Sequence, residues 1–442
     1  MKRFFFHNFR IIFKIERWIR RRFTKAGSLV LGGLIAAGVF GIDTRQTLAY
    51  QLFSLLLILL LLAVISSWFL RLRFIVQREL PEFATVGETL NYQVQIHNHT
   101  HKLQRSLTLQ ENVKLQPSSF ATFMHVKEPA KHNWFDNYVG YPRWTWLMYI
   151  SKGVEIAEQS LPPIPPSKIE VKLTLTPLRR GYVHFTSMTF ARPDPFGLFN
   201  ALYTLNVPDT LLVLPKRYPV GEFSLFSSRK YQRGGVNLAM SVGDAEEFTS
   251  LREYRLGDPL RHIHWKSWAK LGKPVVKEFQ DEFFVRHALI LDTFTEQVRG
   301  DKFEAAVSVA ASFASTPRSS EVLLDLMFVG TQAYCFTSGR GLAHADNLLE
   351  VLACVKESNS QSFDQLCSLV KEYLASLSGC VCILLEWDVS RQYLVKLLKN
   401  AQIPSLVVVV SDSELEIDIN KFPEVHVLPV GKIAEELAKL AL

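Results

Sequence analysis

Two long apolar stretches near the amino terminus constrain the fold of this chain more than any other feature. Ala26–Ile42 is rich in glycine and near the lower length limit for a membrane-spanning helix, whereas Leu48–Leu70 is rich in leucine, long and uncharged. Only Asp43–Thr47 separates them. The pattern predicts two transmembrane helices within residues 26–73 that form a helical hairpin, and the glycines of the first stretch would let the helices approach closely.

The charges that flank the apolar stretches predict an orientation. Residues 1–25 contain nine Lys or Arg and one Glu, and Arg71, Arg73 and Arg78 follow the second stretch. Positively charged flanks stay in the cytoplasm, so we expect both termini of a two-pass protein there. A cleavable signal peptide is the alternative interpretation of the first stretch, but the second stretch follows at once and no convincing cleavage site is present.

The positive charge is confined to residues 1–25, which we interpret as a basic cytoplasmic arm. The whole chain has a formal charge of +8, and the residues after the arm contain 41 basic and 41 acidic side chains. Nucleic-acid backbones are bound by several concentrated cations, so we expect no binding to nucleic acid. The arm also contains Phe, Ile and Trp residues, which favours an interfacial helix on anionic lipid of the bilayer or, as an alternative, a disordered basic topology signal.

Residues 74–220 are predicted to form a β-sandwich of the immunoglobulin-like type. Tyr92, Val94 and Ile96 alternate with polar residues, which is typical of a half-buried strand. Similar alternation recurs farther along this region, as in a sandwich of short strands. The Trp- and Tyr-rich segment 125–150 has no regular periodicity, and the sequence assigns it no structure.

Two short motifs in the same region indicate tight turns. Arg179–Gly181 and Asp194–Gly197 combine residues that fix the backbone angles or tolerate unusual ones. We expect the second motif to make a corner with Phe196 as its plug. For both motifs a structural role is favoured over a ligand site.

Residues 285–442 are predicted to form an α/β domain. Strands alternate with helices there, which indicates a mostly parallel sheet covered by helices on both faces, a Rossmann-type arrangement. The apolar runs Cys382–Leu385 and Leu406–Val410 are continuous, as expected of central strands that are buried on both faces.

The five cysteines of the chain lie between Cys335 and Cys382 and show no zinc-binding pattern. We expect them to be reduced and in the core, as is usual for a cytosolic domain. Cys380 and Cys382 are two positions apart on a predicted strand, so both side chains are expected on the same face.

The segment Glu247–Phe279 mixes charged and aromatic residues in a way that ordinary loops do not. It contains seven Lys or Arg, four carboxylates, two histidines and two tryptophans. We expect an ordered segment in which Trp265 and Trp268 are buried and arginines pair with carboxylates. Gly257 and Asp258 are typical of a turn in which the Asp side chain accepts backbone N–H groups.

This segment also carries the resemblance of the chain to a known family. Its pattern of Phe, Arg-x-Tyr, Gly-Asp, Arg-x-Ile-His-Trp-Lys and Lys-x-Phe resembles the signature of the domain of unknown function 58 family. The matching residues are Phe248, Arg252, Tyr254, Gly257, Asp258, Arg261, Ile263, His264, Trp265, Lys266, Lys277 and Phe279. Arg179–Tyr182 and Asp194–Phe199 resemble a block that precedes this signature in the family. The resemblance implies an α+β multidomain bacterial membrane protein in which a signature segment, residues 221–284, lies between the β-sandwich and the α/β domain.

In this family the domain after the signature resembles a von Willebrand factor A-like domain. Such domains often bind a divalent cation through Asp-x-Ser-x-Ser at the end of the first strand, where α/β sheets present their sites. Here Phe294 and Glu296 replace the two serines, and a phenylalanine cannot ligate Mg²⁺. Asp292, Glu296 and Asp388 are left as candidates for a degenerate metal site, and we expect no cofactor.

The resemblance implies a membrane-anchored, non-enzymatic adaptor in the inner membrane. Its implied partners are a MoxR-type AAA+ ATPase and a membrane transglutaminase-like protein, and its implied role is the assembly or maturation of protein complexes. The residues expected at the docking site are Arg252, Tyr254, Gly257, Asp258, Arg261, His264, Trp265 and Lys266.

Two other functions are compatible with the sequence. A metal-dependent or acid/base hydrolase would use Asp258, His264 and Asp292, because a His–carboxylate pair is a usual proton-transfer unit. The sequence shows neither a phosphate-binding loop nor a His–Glu metal motif that would support it. A β-sandwich that binds an envelope ligand is the third function, and it needs the opposite membrane topology.

Overall fold

The structure is a computed structural model that describes most of the chain. The described residues are 2–40, 47–69, 72–100, 102–115, 120–125, 133–221, 247–258, 260–280, 285–295, 300–316, 322–338, 342–358, 361–412 and 422–440. The chain divides into two compact units. The first unit consists of residues 1–219, 293–315 and 346–360, and the second of residues 220–292, 316–345 and 361–442.

The first unit begins with three helices. They are α1, Lys2–Arg22; α2, Lys25–Phe40; and α3, Thr47–Ser67. Residues Leu48–Ser67 of α3 are long and apolar enough to cross a membrane, and α2 is a shorter apolar helix. A Cβ atom on Gly38 would lie 3.3 Å from the Phe53 ring, so the glycines do bring α2 close to α3. The crossing of α2, and with it the two-pass hairpin, stays a prediction.

Nine described strands of the first unit form two sheets. They are β1, Phe74–Glu79; β2, Phe83–Thr85; β3, Leu90–Asn98; β4, Thr108–Val113; β5, Val154–Ile156; β6, Gln159–Ser160; β7, Lys168–Pro177; β8, Gly181–Pro193; and β9, Asn200–Leu214. One sheet has the order β1-β3-β7-β5, and the other has the order β2-β9-β8-β4-β6.

The two sheets share one apolar core. Tyr92, Val94 and Ile96 of β3 are buried, which confirms the predicted alternation, and they form one cluster with Phe185 and Phe190 of β8. Because β3 and β8 belong to different sheets, the cluster lies between the sheets, as in a sandwich. The immunoglobulin-like type stays a prediction.

Three short helices lie between β4 and β5, in and beside the segment to which the sequence assigned no structure. They are α4, Phe120–His125; α5, Trp134–Val139; and α6, Tyr141–Ser151. Phe123, Trp144 and Leu147 form an apolar cluster with Phe9 of α1. Residues 2–22 are therefore helical and packed, and the alternative of a disordered arm is wrong for them.

The second unit contains a small antiparallel sheet and a six-stranded sheet. The small sheet consists of β10, Glu247–Glu253, and β11, Val275–Gln280, with α7, Trp265–Leu271, between them in the chain. The six-stranded sheet consists of β12, Val285–Leu291; β13, Val322–Val329; β14, Ala333–Ser338; β15, Gly379–Leu384; β16, Ser405–Ser411; and β17, Val425–Pro429. The remaining helices are α8, Asp301–Ser315; α9, Leu342–Cys354; α10, Phe363–Tyr373; α11, Val389–Asn400; and α12, Ile433–Lys439. Of these, α8 and most of α9 belong to the first unit.

The six-stranded sheet has the order β14-β13-β12-β15-β16-β17, and every pairing except that of β13 with β14 is parallel. All residues of β15 are buried, and so are all residues of β16 after the first, which confirms the prediction of central strands. The strand order reverses between β12 and β15, and open α/β sheets bind ligands beyond the carboxyl ends of the strands at such a point. The assignment to the von Willebrand factor A-like class stays a prediction.

The cysteines are not all in the core. Cys367, Cys380 and Cys382 are buried, whereas Cys335 is half-buried and Cys354 is exposed. The prediction of a core position is therefore wrong for Cys354, which lies at the last position of α9. The sulfur atoms of Cys380 and Cys382 are 3.9 Å apart, because residues i and i+2 of a strand point to the same face.

Candidate functional site

Residues 247–258 and 260–280 form an ordered unit that we call the signature hairpin. β10 and β11 pair in antiparallel register, with Arg252 opposite Val276. The chain between them folds back onto β11, because Ile263 bridges Val276 and the His264 N–H donates to the Val275 carbonyl oxygen at 2.8 Å. Ile263 and both valines are buried. These aliphatic side chains supply the small core of the hairpin.

The turn after β10 is closed by an ion pair. The Arg252 guanidinium donates to both carboxylate oxygens of Asp258 at 2.7 Å, and the Arg255 N–H donates to the same carboxylate at 2.8 Å. The Arg252 guanidinium, aided by that N–H, lowers the pKa of the Asp258 carboxyl to about 2. Gly257 has φ +107°, a conformation that other residues adopt only with strain. The turn that the sequence predicted is therefore present.

The prediction that both tryptophans are buried is wrong for Trp265. Its side chain is 65% exposed, and it stacks on the half-buried Trp268 with ring centroids 5.2 Å apart. The two rings lie three positions apart on α7, so they share a face of this short helix. His264 precedes the helix, and its Nδ1 atom is 2.7 Å from the Ser267 hydroxyl oxygen. Gly272 ends the helix in the left-handed conformation, with φ +67°.

The signature hairpin exposes more apolar surface than the sequence predicted. Among the hairpin side chains that the structure describes, the exposed large apolar ones are Leu251, Leu256, Leu260, Trp265 and Leu271. We call these five residues the apolar patch. Exposed apolar side chains that cluster in one segment mark interaction sites more often than single ones do. The sequence gives one signal of this exposed surface: four leucines lie among charged residues, where packing within the segment does not require them.

Exposed cations accompany the apolar patch. Arg255, Lys266, Lys270 and Lys273 are all exposed. Tyr254 is half-buried, and its N–H donates to the Pro274 carbonyl oxygen at 3.0 Å. The side chains of Arg261, Phe248 and Glu247 lie outside the described residues. Of the residues predicted to form a docking site, Trp265 and Lys266 are exposed, whereas Arg252, Gly257 and Asp258 build the turn after β10.

The strand-end carboxylates of the α/β sheet hold an arginine. Asp292 follows β12 and is fully buried, and Asp388 precedes α11. The Arg391 Nε atom is 3.0 Å from Asp292 Oδ2, and its Nη1 atom is 2.6 Å from Asp388 Oδ2. The Leu385 N–H also donates to Asp292, at 3.1 Å. The guanidinium therefore lies where a cation between these two carboxylates would be expected.

This arrangement does not fit a divalent metal ion. Arg391 already supplies the positive charge that Asp292 and Asp388 require, and Phe294 is buried without an oxygen donor. Glu296, the third candidate ligand, lies outside the described residues. Within the described ranges, no group of three or more His, Cys, Asp or Glu is placed to hold a metal ion. No signal in the sequence pointed to Arg391, since it lies 99 residues from Asp292 in the chain.

The residues proposed for a hydrolase each have a different partner. Asp258 is paired with Arg252, His264 with Ser267, and Asp292 with Arg391. A carboxylate held by an arginine at 2.7 Å is a poor general base, because its pKa is low. The geometry lends no support to the hydrolase alternative.

The first upstream motif makes longer-range contacts than a turn requires. The Arg180 guanidinium forms an ion pair with Glu304 and donates to the carbonyl oxygens of Leu352 at 3.2 Å and Val355 at 2.8 Å. It also lies 5.1 Å from the centre of the Phe303 ring. Arg180 thus joins β8 to α8 and to the end of α9 within the first unit. Its role is structural, as the sequence predicted.

The second upstream motif forms a tight corner, but Phe196 is not its plug. Asp194 accepts the N–H groups of Phe196, Leu198 and Phe199 at 2.9, 2.6 and 2.6 Å. Phe196 is 52% exposed, whereas Leu198 and Phe199 are buried in a cluster that includes Ala63 of α3. The corner turns these two side chains inward because Gly197, with φ +68°, lets the chain reverse.

Comparison with known proteins agrees with the resemblance over part of the chain. Residues 250–378 match the model of a family described as protein of unknown function DUF58. The chain is also 27% identical over 176 residues to the uncharacterized protein YeaD of Bacillus subtilis (strain 168). That alignment covers 39% of this chain and 42% of YeaD, so it spans less than half of the length of either protein. From residue 250 to residue 378 the chain is therefore similar to a family whose description assigns it no function.

Proposed function

We propose that the protein is a membrane-anchored, non-enzymatic adaptor whose signature hairpin docks a cytoplasmic MoxR-type AAA+ ATPase. A membrane transglutaminase-like protein is its proposed neighbour in the bilayer, and its role is to help assemble or mature protein complexes. The observation that carries the proposal is the apolar patch on an ordered hairpin. The choice of partners comes from the resemblance of the signature.

The hairpin has the properties of an interaction surface. Tryptophan is enriched among the few residues that carry most of the binding energy at protein interfaces, and the apolar contacts around such a residue exclude water. The ion pair between Arg252 and Asp258 holds the turn in place before binding, which reduces the entropy lost on docking. The cations around the apolar patch would favour a partner surface that is apolar at its centre and acidic at its rim.

Contacts within the first unit support a two-pass anchor. The Tyr141 hydroxyl in α6 donates to Glu16 of α1 at 2.8 Å, and the Phe23 and Phe199 rings are 5.2 Å apart. Segments before α2 and after α3 are thus in contact, which supports a topology in which both lie on the same side of the membrane. A chain that enters through α2 and returns through α3 satisfies this condition, whereas a single crossing by α3 does not. The basic flanks place that side in the cytoplasm.

Binding of a purified MoxR-type ATPase to the full chain in lipid nanodiscs tests the proposal. Trp265→Ser is expected to weaken binding about tenfold or more, as loss of an interface hot spot does. Leu256→Ser is expected to weaken it about tenfold, because burying an exposed leucine contributes about 1.5–3 kcal/mol. Val389→Ser removes an exposed apolar side chain from α11 and is the matched control. Because all three side chains are exposed, the variants should keep the thermal stability of the parent protein.

The outcomes separate the alternatives. Weakening by both hairpin variants, with the control unchanged, would support docking through the apolar patch. Binding that is equal for all three variants would place the ATPase site elsewhere. An ATPase that fails to bind in its nucleotide-free, ADP-bound and ATP-trapped states would refute the proposed partner.

A further inference from the structure

Helix α1 has two apolar faces, and its packing within the first unit uses one of them. Phe5, Phe9 and Phe13 recur every four residues and belong to the apolar cluster of α4 and α6. Ile11, Ile15 and Trp18 recur at the spacing i, i+4 and i+7 on another face. These three side chains are 50%, 53% and 55% exposed. We call them the exposed stripe of α1.

Cations lie beside the exposed stripe. Arg3, Arg10 and Lys14 are exposed and share a side of the helix, since they are seven and four residues apart. α1 contains eight Lys or Arg and one acidic residue, Glu16. Arg20 already compensates that charge, with its Nη2 atom 2.7 Å from Glu16 Oε1. The surface that accompanies the stripe is therefore strongly positive.

The end of α1 is fixed close to the start of the apolar helices. The Thr24 hydroxyl accepts the Gly27 N–H at 3.0 Å and donates to the Gly197 carbonyl oxygen at 2.5 Å. A Cβ atom on Gly27 would lie 1.9 Å from the Leu198 oxygen, so only glycine permits this approach. Trp18 lies four residues before Arg22, the last residue of α1, which is about 6 Å along the helix, and α2 begins three residues later at Lys25. The exposed stripe thus ends near the start of the apolar helices.

We propose that α1 lies in the headgroup region of an anionic bilayer, with its exposed stripe inserted among the acyl chains and its cations over the lipid phosphates. This inference rests on the membrane anchoring proposed above. Interfacial helices have this combination of an apolar face and flanking cations. A second copy of the chain fits less well, because it would bring an equally basic helix against α1.

Fluorescence of the full chain in nanodiscs tests the proposal. The emission of Trp18 is isolated by subtracting the spectrum of Trp18→Phe from that of the parent protein. Phospholipids that are brominated near the headgroup should quench this difference emission when phosphatidylglycerol is present, and less in phosphatidylcholine alone. Arg10→Gln combined with Lys14→Gln should lower the ratio of docked to undocked helix by roughly fivefold per cation.

Controls make each outcome informative. Lys168→Gln combined with Lys172→Gln removes two exposed cations of β7 and should leave the quenching unchanged. Emission that soluble iodide quenches and brominated lipid does not would overturn the inference, and so would emission that neither quencher reaches. Extraction with alkaline carbonate tests the anchor separately. A chain that resists extraction but shows no lipid quenching contradicts this inference alone.

Discussion

Replacing Arg391 with methionine is expected to destabilise the second unit strongly. Asp292 is fully buried, whereas the Asp388 side chain is 43% exposed. Water can therefore solvate Asp388 after the change, but it cannot reach Asp292. Removing one partner of a buried ion pair costs about 3–5 kcal/mol. The lost contact between the guanidinium and the Phe363 ring, 4.5 Å away, adds about 0.5–2 kcal/mol. Loss of the buried ion pair with Asp292 is therefore the larger of the two effects.

Hydrogen exchange of the full chain in a bilayer measures this effect, because it reports local opening without requiring two-state unfolding. A loss of about 4 kcal/mol corresponds to roughly 1000-fold faster exchange of peptides from β12 and β15. Lys399→Met is the matched control on the same helix. Its partner Glu424 is 3.6 Å away and Lys399 is largely exposed, so about 0–1 kcal/mol is expected. Equal acceleration of exchange by the two substitutions would show that the buried ion pair of Arg391 does not stabilise the second unit more than the exposed pair of Lys399.

The pH dependence of the Arg391→Met variant provides a second check. Without the guanidinium, the buried Asp292 carboxylate loses the cation that lies 3.0 Å away, and burial disfavours its charged form. Protonation removes this cost in the folded variant, so its stability deficit is expected to shrink as the pH falls from neutral toward the ordinary carboxyl pKa of about 4. Adding Asp292→Asn should remove most of this pH dependence. A deficit that is the same at every pH would contradict the assignment.

Two further predictions concern the first unit and the signature hairpin. Gly27→Ala should loosen the start of α2, because the new Cβ atom would lie 1.9 Å from the Leu198 oxygen, whereas Gly32→Ala meets nothing within 4 Å. Trypsin should cleave the arginine run at the end of α1 faster in the first variant than in the second, and equal rates would exclude the contact. The pKa of Asp258, lowered to about 2 by Arg252, implies that the turn is fully stabilised above the ordinary carboxyl pKa of about 4. Its amide protection, taken relative to the intrinsic exchange rate at each pH, should fall as the pH falls from about 4 to about 2. Protection that does not change in this range would contradict the ion pair.

The periodicity of apolar residues correctly predicted those strands whose pattern of buried residues follows directly from strand geometry. Alternate residues of a strand point to opposite faces, so one buried face produces the alternation of Tyr92, Val94 and Ile96 in β3. Burial of both faces produces the continuous apolar run of β16. In both cases the signal lies in neighbouring residues, and local reasoning is sufficient to find it.

Partners that are distant in the chain were not predictable in this way. Arg391 has the sequence context of an ordinary surface residue in the first turn of a helix, and only the fold brings it to Asp292. Trp265 was expected to be buried from its residue type. The small core of the signature hairpin is already filled by Ile263, Val275 and Val276, so the tryptophan stays outside. Residue type does not decide which of several apolar side chains occupies a limited interior.

A photocrosslinking amino acid in place of Leu256, introduced into the full chain in living cells, tests whether the signature hairpin docks the ATPase. Leu256 is fully exposed on the signature hairpin, and the same probe in place of Val389 of α11 is the matched control. We expect illumination to link position 256, but not position 389, to a MoxR-type ATPase. Equal linkage from both positions, or linkage of position 256 only to proteins outside the cytoplasm, would contradict it.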